Sequence, residues 1–237
     1  CSLRKHFFSN RYFFNLNLGF IFFTCRKSTY RYIIFFMEEK SEKASEKILE
    51  TKDFILNTAI TLFAKKGFDG VGVQEICTES KITKPTLYYY FGSKNGLLSA
   101  IIEEKGFEFF KILQRSAEYK HDFIGSLTKI LENTIQFAIE NPDFYRFQCS
   151  LNAACFESEA GKIYEPFFCK IQTIFSDFFQ NSSNEIGNMK GKELLFSKIF
   201  FQTSQAVALE VIQNRLEKTD NMIFSVIHSF VYGVVAG

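Results

Sequence analysis

Between Ile82 and Lys94 the chain sets two threonine hydroxyls, three consecutive tyrosines and two lysines within thirteen residues. Hydroxyls and ammonium groups at this density suit a polyanion. They donate to phosphate oxygens, while flat aromatic rings lie against base edges or a groove wall. A second reading makes the tyrosines half-buried core of an all-α protein.

The element that would position these groups is a very short helix with its own punctuation. Thr83 is placed to cap it, Pro85 falls in its first turn, Gly92 stops it and Ser93 can cap the next helix. At about 100° per residue, Leu87 and Phe91 share one side. Pro85, Thr86 and Tyr89 share the other, with Tyr88 and Tyr90 on the flanks. Seven or eight residues do not hold a helix alone in water, so Leu87 and Phe91 must anchor it inward.

Upstream, Ile55, Ala59, Leu62 and Phe63 make a helical stripe, Lys65 and Lys66 occupy its last turn and Gly67 ends it. Val73, Ile76 and Cys77 form the buried face of a second, short helix. Two short helices joined by the turn Ser80–Thr83 make a helix-turn-helix. The pieces Ile55…Ala59…Leu62-Phe63…Gly67-Phe68, Val73…Ile76 and Ile82-Thr83-Lys84…Leu87-Tyr88-Tyr89-Tyr90-Phe91…Lys94…Leu97 resemble the DNA-binding domain of the TetR family of bacterial transcription regulators. The resemblance is nearly position by position from Thr51 to Phe91. It implies that Thr83, Tyr88 and Lys94 hold phosphates, and that Lys84, Pro85, Thr86, Tyr89 and Tyr90 face bases or the groove wall. It also implies that Thr51 caps the first helix and touches a phosphate. Gly72 and Lys81 depart from the family pattern, standing where a capping Thr and a turn Gly are usual.

Formal net charge is +2, but residues 1–36 hold six Lys/Arg and no acid; the remainder has 22 basic against 26 acidic residues. DNA binding must then come from a local patch. Residues 1–36 begin with Cys1, carry nine of the 31 Phe and keep no helical or strand period. Met37 is followed by a charged, solvated stretch. We expect residues 1–36 to be an unstructured extension upstream of the true start, residues 37–95 to be the DNA-binding domain, and residues 96–237 a helical domain for ligand binding and dimerisation.

Beyond Lys94 the pattern is helical throughout, which predicts an all-α fold. Segments are expected at Leu97–Lys120, Phe123–Glu140, Phe144–Phe156, Lys162–Gln180, Glu193–Leu216 and Asn221–Val235. They are rich in phenylalanine, which reads first as ordinary core. The resemblance implies a ligand cavity among these helices, and Phe107, Phe110, Phe137, Phe147 and Phe168 are the expected lining, with Phe109 beside them. An apolar small effector is the expected ligand. The small residues Ser204, Ala206 and Ala208 suggest a close helix contact, where the resemblance puts a homodimer interface.

The three histidines are scattered, and no phosphate loop, nucleophile elbow, metal spacing or C-x-x-C occurs. No enzyme activity, metal, cofactor or membrane association is expected. The expectation is a cytoplasmic, ligand-responsive repressor that binds a palindromic operator in double-stranded DNA. The alternative is a constitutive DNA-organising protein of the same fold.

Overall fold

Between residues 48 and 66 there is neither Gly nor Pro, and Ile55, Leu56, Ala59, Ile60 and Phe63 recur at helical spacing, all buried. In the computed structural model of the chain this stretch is one helix, α1, residues 48–66. The structure describes residues 48–153, 157–186 and 189–235, the side chains of 153 and 233–235 excepted. The expectations for residues 1–36 lie outside them. Of two compact units, Cys1–Ile48 and Leu49–Gly237, the second carries every described residue except Ile48.

Thr51 stands inside α1 and not at its cap. Ile48-Leu49-Glu50 before it contain no helix breaker and continue the helix backwards. Gly67, at φ +72°, ends α1, and its N–H donates to the Phe63 carbonyl at 2.9 Å. Helix α2 is Val73–Glu79, with Ile76 and Cys77 buried. Its cap, Gly72, offers no side-chain hydrogen bond. Lys66 instead ties the end of α1 to α2, donating to Glu75 Oε1 at 2.5 Å. In the turn that follows, Lys81 adopts φ +53°. This is the left-handed region, where a β-carbon costs about 1–2 kcal/mol and where glycine is at ease. Lys81→Gly is therefore expected to raise unfolding free energy by about 1 kcal/mol, read as a higher urea midpoint at unchanged slope.

Helices α3 (Lys84–Phe91) and α4 (Lys94–Ile101) follow. The expected helix Leu97–Lys120 runs without a break from α4 through a π-helical turn, Ile102–Gly106, into α5 (Phe107–Ser116), and ends at Ser116. Gly106 explains the local packing. A β-carbon there would come within 2.9 Å of Phe167 Cε2, so only glycine lets that ring lie directly on the backbone.

Helix α6 (Phe123–Glu140) has the expected bounds, with Asp122 Oδ1 accepting from the Gly125 N–H at 2.9 Å as its cap. Helix α7 is Pro142–Ala153, starting earlier than expected because Pro142 is suited to a first turn. Helix α8 (Glu159–Ser182) starts at a Ser158 cap and keeps Pro166 within it. Helices α9 (Glu193–Ile212) and α10 (Asp220–Val235) complete the fold. Among the described residues there is no strand; the fold is all-α, a helix-turn-helix followed by packed longer helices.

Helix α6 lies against α5, α7, α9 and α10, and α8 lies along α9. Aromatic rings fill the centre: Phe123 stacks on Phe178 at 5.6 Å, and Phe200 meets Phe230 at 5.0 Å. Of the small residues of α9, Ser204 and Ala208 face this interior and only Ala206 faces outward.

Candidate nucleic-acid interface

Helix α3 has two anchors. Leu87 is fully buried and Phe91 nearly so. The cap is in place: Thr83 Oγ1 accepts from the Thr86 N–H at 3.4 Å and lies 2.9 Å from Thr86 Oγ1. Gly92, at φ +71°, turns the chain out of the helix, its N–H donating to the Tyr88 carbonyl at 2.9 Å. Ser93 Oγ then accepts from the Gly96 N–H at 2.9 Å and starts α4. These local bonds fix the helix ends and so the direction of the outer face.

That outer face is open. Thr83, Lys84, Pro85 and Tyr88 are exposed, and Tyr89 is 79% exposed. Thr86 and Tyr90 are half-buried, and the Tyr89 and Tyr90 rings meet edge-on at 5.2 Å. Thr51 is half-buried within α1. A short helix with hydroxyls, a lysine and an unpacked aromatic ring on one side has the shape to enter a major groove and touch both bases and backbone.

Lys94 is held differently from the sequence expectation of a simple phosphate ligand. Its ammonium lies 4.0 Å from the centroid of the Phe68 ring. Burial lowers its pKa, partly offset by Asp69 and Glu159. The side chain therefore fastens α4 to the α1–α2 connection while its charge stays beside the end of α3. Lys94→Ala is expected to do two things. It should flatten the log–log salt dependence of DNA binding by about 0.9, one phosphate's worth, on every sequence. It should also lower stability by about 0.5–1 kcal/mol through loss of the ring contact. Salt titrations and urea melts separate the two.

The five phenylalanines expected to line a cavity do not converge. Phe107 is 52% exposed, stacked on half-buried Phe110 at 6.3 Å with Lys111 Nζ 4.3 Å over its ring. Helical geometry gives the reason: residues 107 and 110 lie on one side of α5, residue 109 nearly opposite. Phe109 is the one turned inward, stacked on Phe137 at 4.7 Å. Phe147 is buried against Phe63 of α1 at 5.2 Å. With the Thr61–Asp143 hydrogen bond at 2.8 Å, it joins α7 to α1. Phe168 is half-buried between Tyr164 and Phe201. Two open grooves mark the surface. One, of about 310 Å³, lies between α5 and α6 and includes Arg115, Lys129 and Phe137; the other, of about 290 Å³, lies between α6 and α10.

Among the described residues no group of His, Cys, Asp and Glu could hold a metal ion, and no helix is long and apolar enough to cross a membrane. Sequence reasoning missed the buried amides of α7 and α9, Gln148 and Gln205. Their signal was available: polar side chains recurring on the apolar side of otherwise amphipathic helices.

The fold and the α3 face define an all-α protein with a helix-turn-helix. Residues 55–101 match the family described as bacterial regulatory proteins, tetR family. The chain is 34% identical over 103 residues to the HTH-type transcriptional regulator YuxN of Bacillus subtilis (strain 168), a match covering 42% of this chain and 34% of that protein. Matches to the curated relatives span between a quarter and two-fifths of the relatives' length. Among solved structures, FadR from Bacillus subtilis in complex with stearoyl-CoA aligns with a TM-score of 0.60 at 18% identity, over 78% of this chain and 97% of that one. AibR in complex with isovaleryl coenzyme A and operator DNA aligns with a TM-score of 0.59 at 18% identity, over 78% of this chain and 98% of that one. In residues 55–101 the chain is therefore similar to the DNA-binding domain of the TetR family.

Proposed function

We propose that the chain is a ligand-responsive repressor that acts as a homodimer on a palindromic operator, each copy inserting α3 into a major groove. The observation that carries this reading is the outer face of α3. Tyr89 is left almost wholly uncovered on a helix pinned by Leu87 and Phe91, an arrangement that serves no packing purpose. In this reading residues 37–95 are the reading head. Thr83, Tyr88 and Lys94 position it on phosphates, Thr51 assists from α1, and Lys84, Pro85, Thr86, Tyr89 and Tyr90 meet the groove. Residues 96–237 receive the ligand and the second copy.

The second copy is favoured by exposed apolar side chains at helical spacing. They are Leu195, Ile199 and Ala206 on α9, and Phe224 and Tyr232 on α10, with His228 between the last two. Patches of this kind mark association surfaces, and a two-fold pairing makes the patch self-complementary. Ligand response is supported by the two solved structures that hold an acyl-coenzyme A, one of them with operator DNA. Coupling would run through α7, which grips α1 by Phe147 and Asp143.

Selection of bound duplexes from a random pool tests this. The expected product is an inverted repeat with half-sites about one helical turn apart, or a multiple of it. An asymmetric single half-site refutes the dimer. Mapping bound sites in the genome separates the alternative: one or a few sites fit a regulator, and many dispersed sites fit a DNA-organising protein.

A further inference from the structure

Tyr145, Gln148, Cys149 and Asn152 recur at i, i+3, i+4 and i+7 and so share one face of α7. That face is turned inward: Tyr145 is fully buried and Gln148 nearly so. The Tyr145 hydroxyl is close enough to Cys149 and to Tyr164 of α8 to feel both, and the Tyr164 hydroxyl has the Asn152 amide as a hydrogen-bond partner. Helix α9 repeats the spacing with Phe201, Ser204, Gln205 and Ala208, all buried. The Phe201 ring meets Phe168 of α8 at 6.0 Å, and Phe168 meets Tyr164 at 6.2 Å. Helix α7 packs on both α8 and α9, and Arg146 Nη2 donates to the Ile212 carbonyl at 3.0 Å.

On the buried faces of α7 and α9, polar atoms lack partners. Tyr145 Oη, Gln148 Oε1, Ser204 Oγ and Gln205 Nε2 are buried with no hydrogen bond inside the protein. Native interiors satisfy nearly all such groups, so a cluster of them calls for something that completes it. The set contains donors in Tyr145, Ser204 and Gln205, and an acceptor in Gln148. It contains no charge. Arg146, the cation on α7, is engaged by Asp143 and the Ile212 carbonyl, and Lys162, Lys170 and Lys198 of α8 and α9 are exposed. A carboxylate or phosphate would be buried here without a counter-charge, which is strongly unfavourable.

We propose that the junction of α7, α8 and α9 receives the polar end of a neutral ligand that both donates and accepts hydrogen bonds, an amide or a hydroxyl compound, with its apolar body against Phe168 and Phe201. The proposal rests on the reading of the chain as ligand-responsive and replaces an effector held by apolar contacts alone. It also puts the ligand on the helix that holds α1.

The test uses the full chain with four single-ring probes at matched free concentrations: benzamide, phenol, toluene and benzoate. Benzamide and phenol are expected to raise Tm saturably, toluene to give less than half their shift, and benzoate none. The double variant Tyr145→Phe/Gln205→Met keeps the volume and removes two unpaired groups. It should fold with an equal or higher Tm and lose the advantage of benzamide over toluene. If it does not fold, Tyr145→Phe and Ser204→Ala, made singly, should each halve the benzamide shift. A toluene or benzoate shift matching that of benzamide, no shift with any probe, or a benzamide shift untouched by these substitutions overturns the site. DNA affinity is measured separately. Benzamide binding that leaves DNA affinity unchanged keeps this site and refutes the effector role. DNA release by a compound whose Tm shift ignores the substitutions keeps the effector role and overturns this site.

Discussion

Leu87→Ala should abolish sequence-selective DNA binding and destabilise the chain by about 2–5 kcal/mol, the usual range for emptying a fully buried leucine site. Leu87 is completely enclosed, and it is one of only two buried residues in α3. A helix of eight residues has little stability of its own. Removing half of its anchorage therefore loosens the whole reading element and does more than leave a hole beneath it. Against a typical total stability of about 5–15 kcal/mol the loss is large enough to read directly as a lower denaturant midpoint. A loss under about 1 kcal/mol, with DNA binding intact, would mean that α3 is held by contacts other than its apolar face.

Tyr89→Ala should give the opposite pattern. The ring is almost wholly exposed, so stability should change by less than about 0.5 kcal/mol. If the ring meets a base edge, affinity for the selected operator should fall about ten- to a hundredfold, the worth of one good base contact. Binding to random duplex, which depends on phosphate contacts, should hold. Equal losses on both DNAs would remove Tyr89 from the base-reading group and reassign it to the backbone. The pair of substitutions thus divides α3 into a face that keeps it in place and a face that reads.

Most of the reading head is legible in the sequence because its signals are local. Thr83, Pro85, Gly92 and Ser93 determine where α3 starts and stops through bonds to residues three or four away, and the division of Leu87 and Phe91 from Tyr89 follows from helical geometry alone. What was not legible depends on partners distant in the chain. The π turn at Ile102–Gly106 accompanies the seat of the Phe167 ring on Gly106, sixty residues away, and no local pattern announces it. Phe107 and Phe147 look alike in sequence. One is left on the surface beside Lys111 and the other is wedged against Phe63, because tertiary packing decides which rings of a phenylalanine-rich segment find a neighbour. Thr51 was misplaced for a different reason: a capping residue type opens a helix only where the residues before it refuse to be helical, and Ile48-Leu49-Glu50 do not refuse. The unpaired polar groups of α7 and α9 were visible as residue types. Their lack of partners was not, since it depends on how the helices are put together.

The central claim is that two copies of α3 read one two-fold DNA site. Hydroxyl-radical footprinting of the chain on its selected operator tests it most directly. The expected result is two equal protected patches related by a dyad, about one helical turn or a multiple apart, both weakened together by Tyr89→Ala. A single protected patch, or two patches that persist at full strength in the Tyr89→Ala chain, would contradict it.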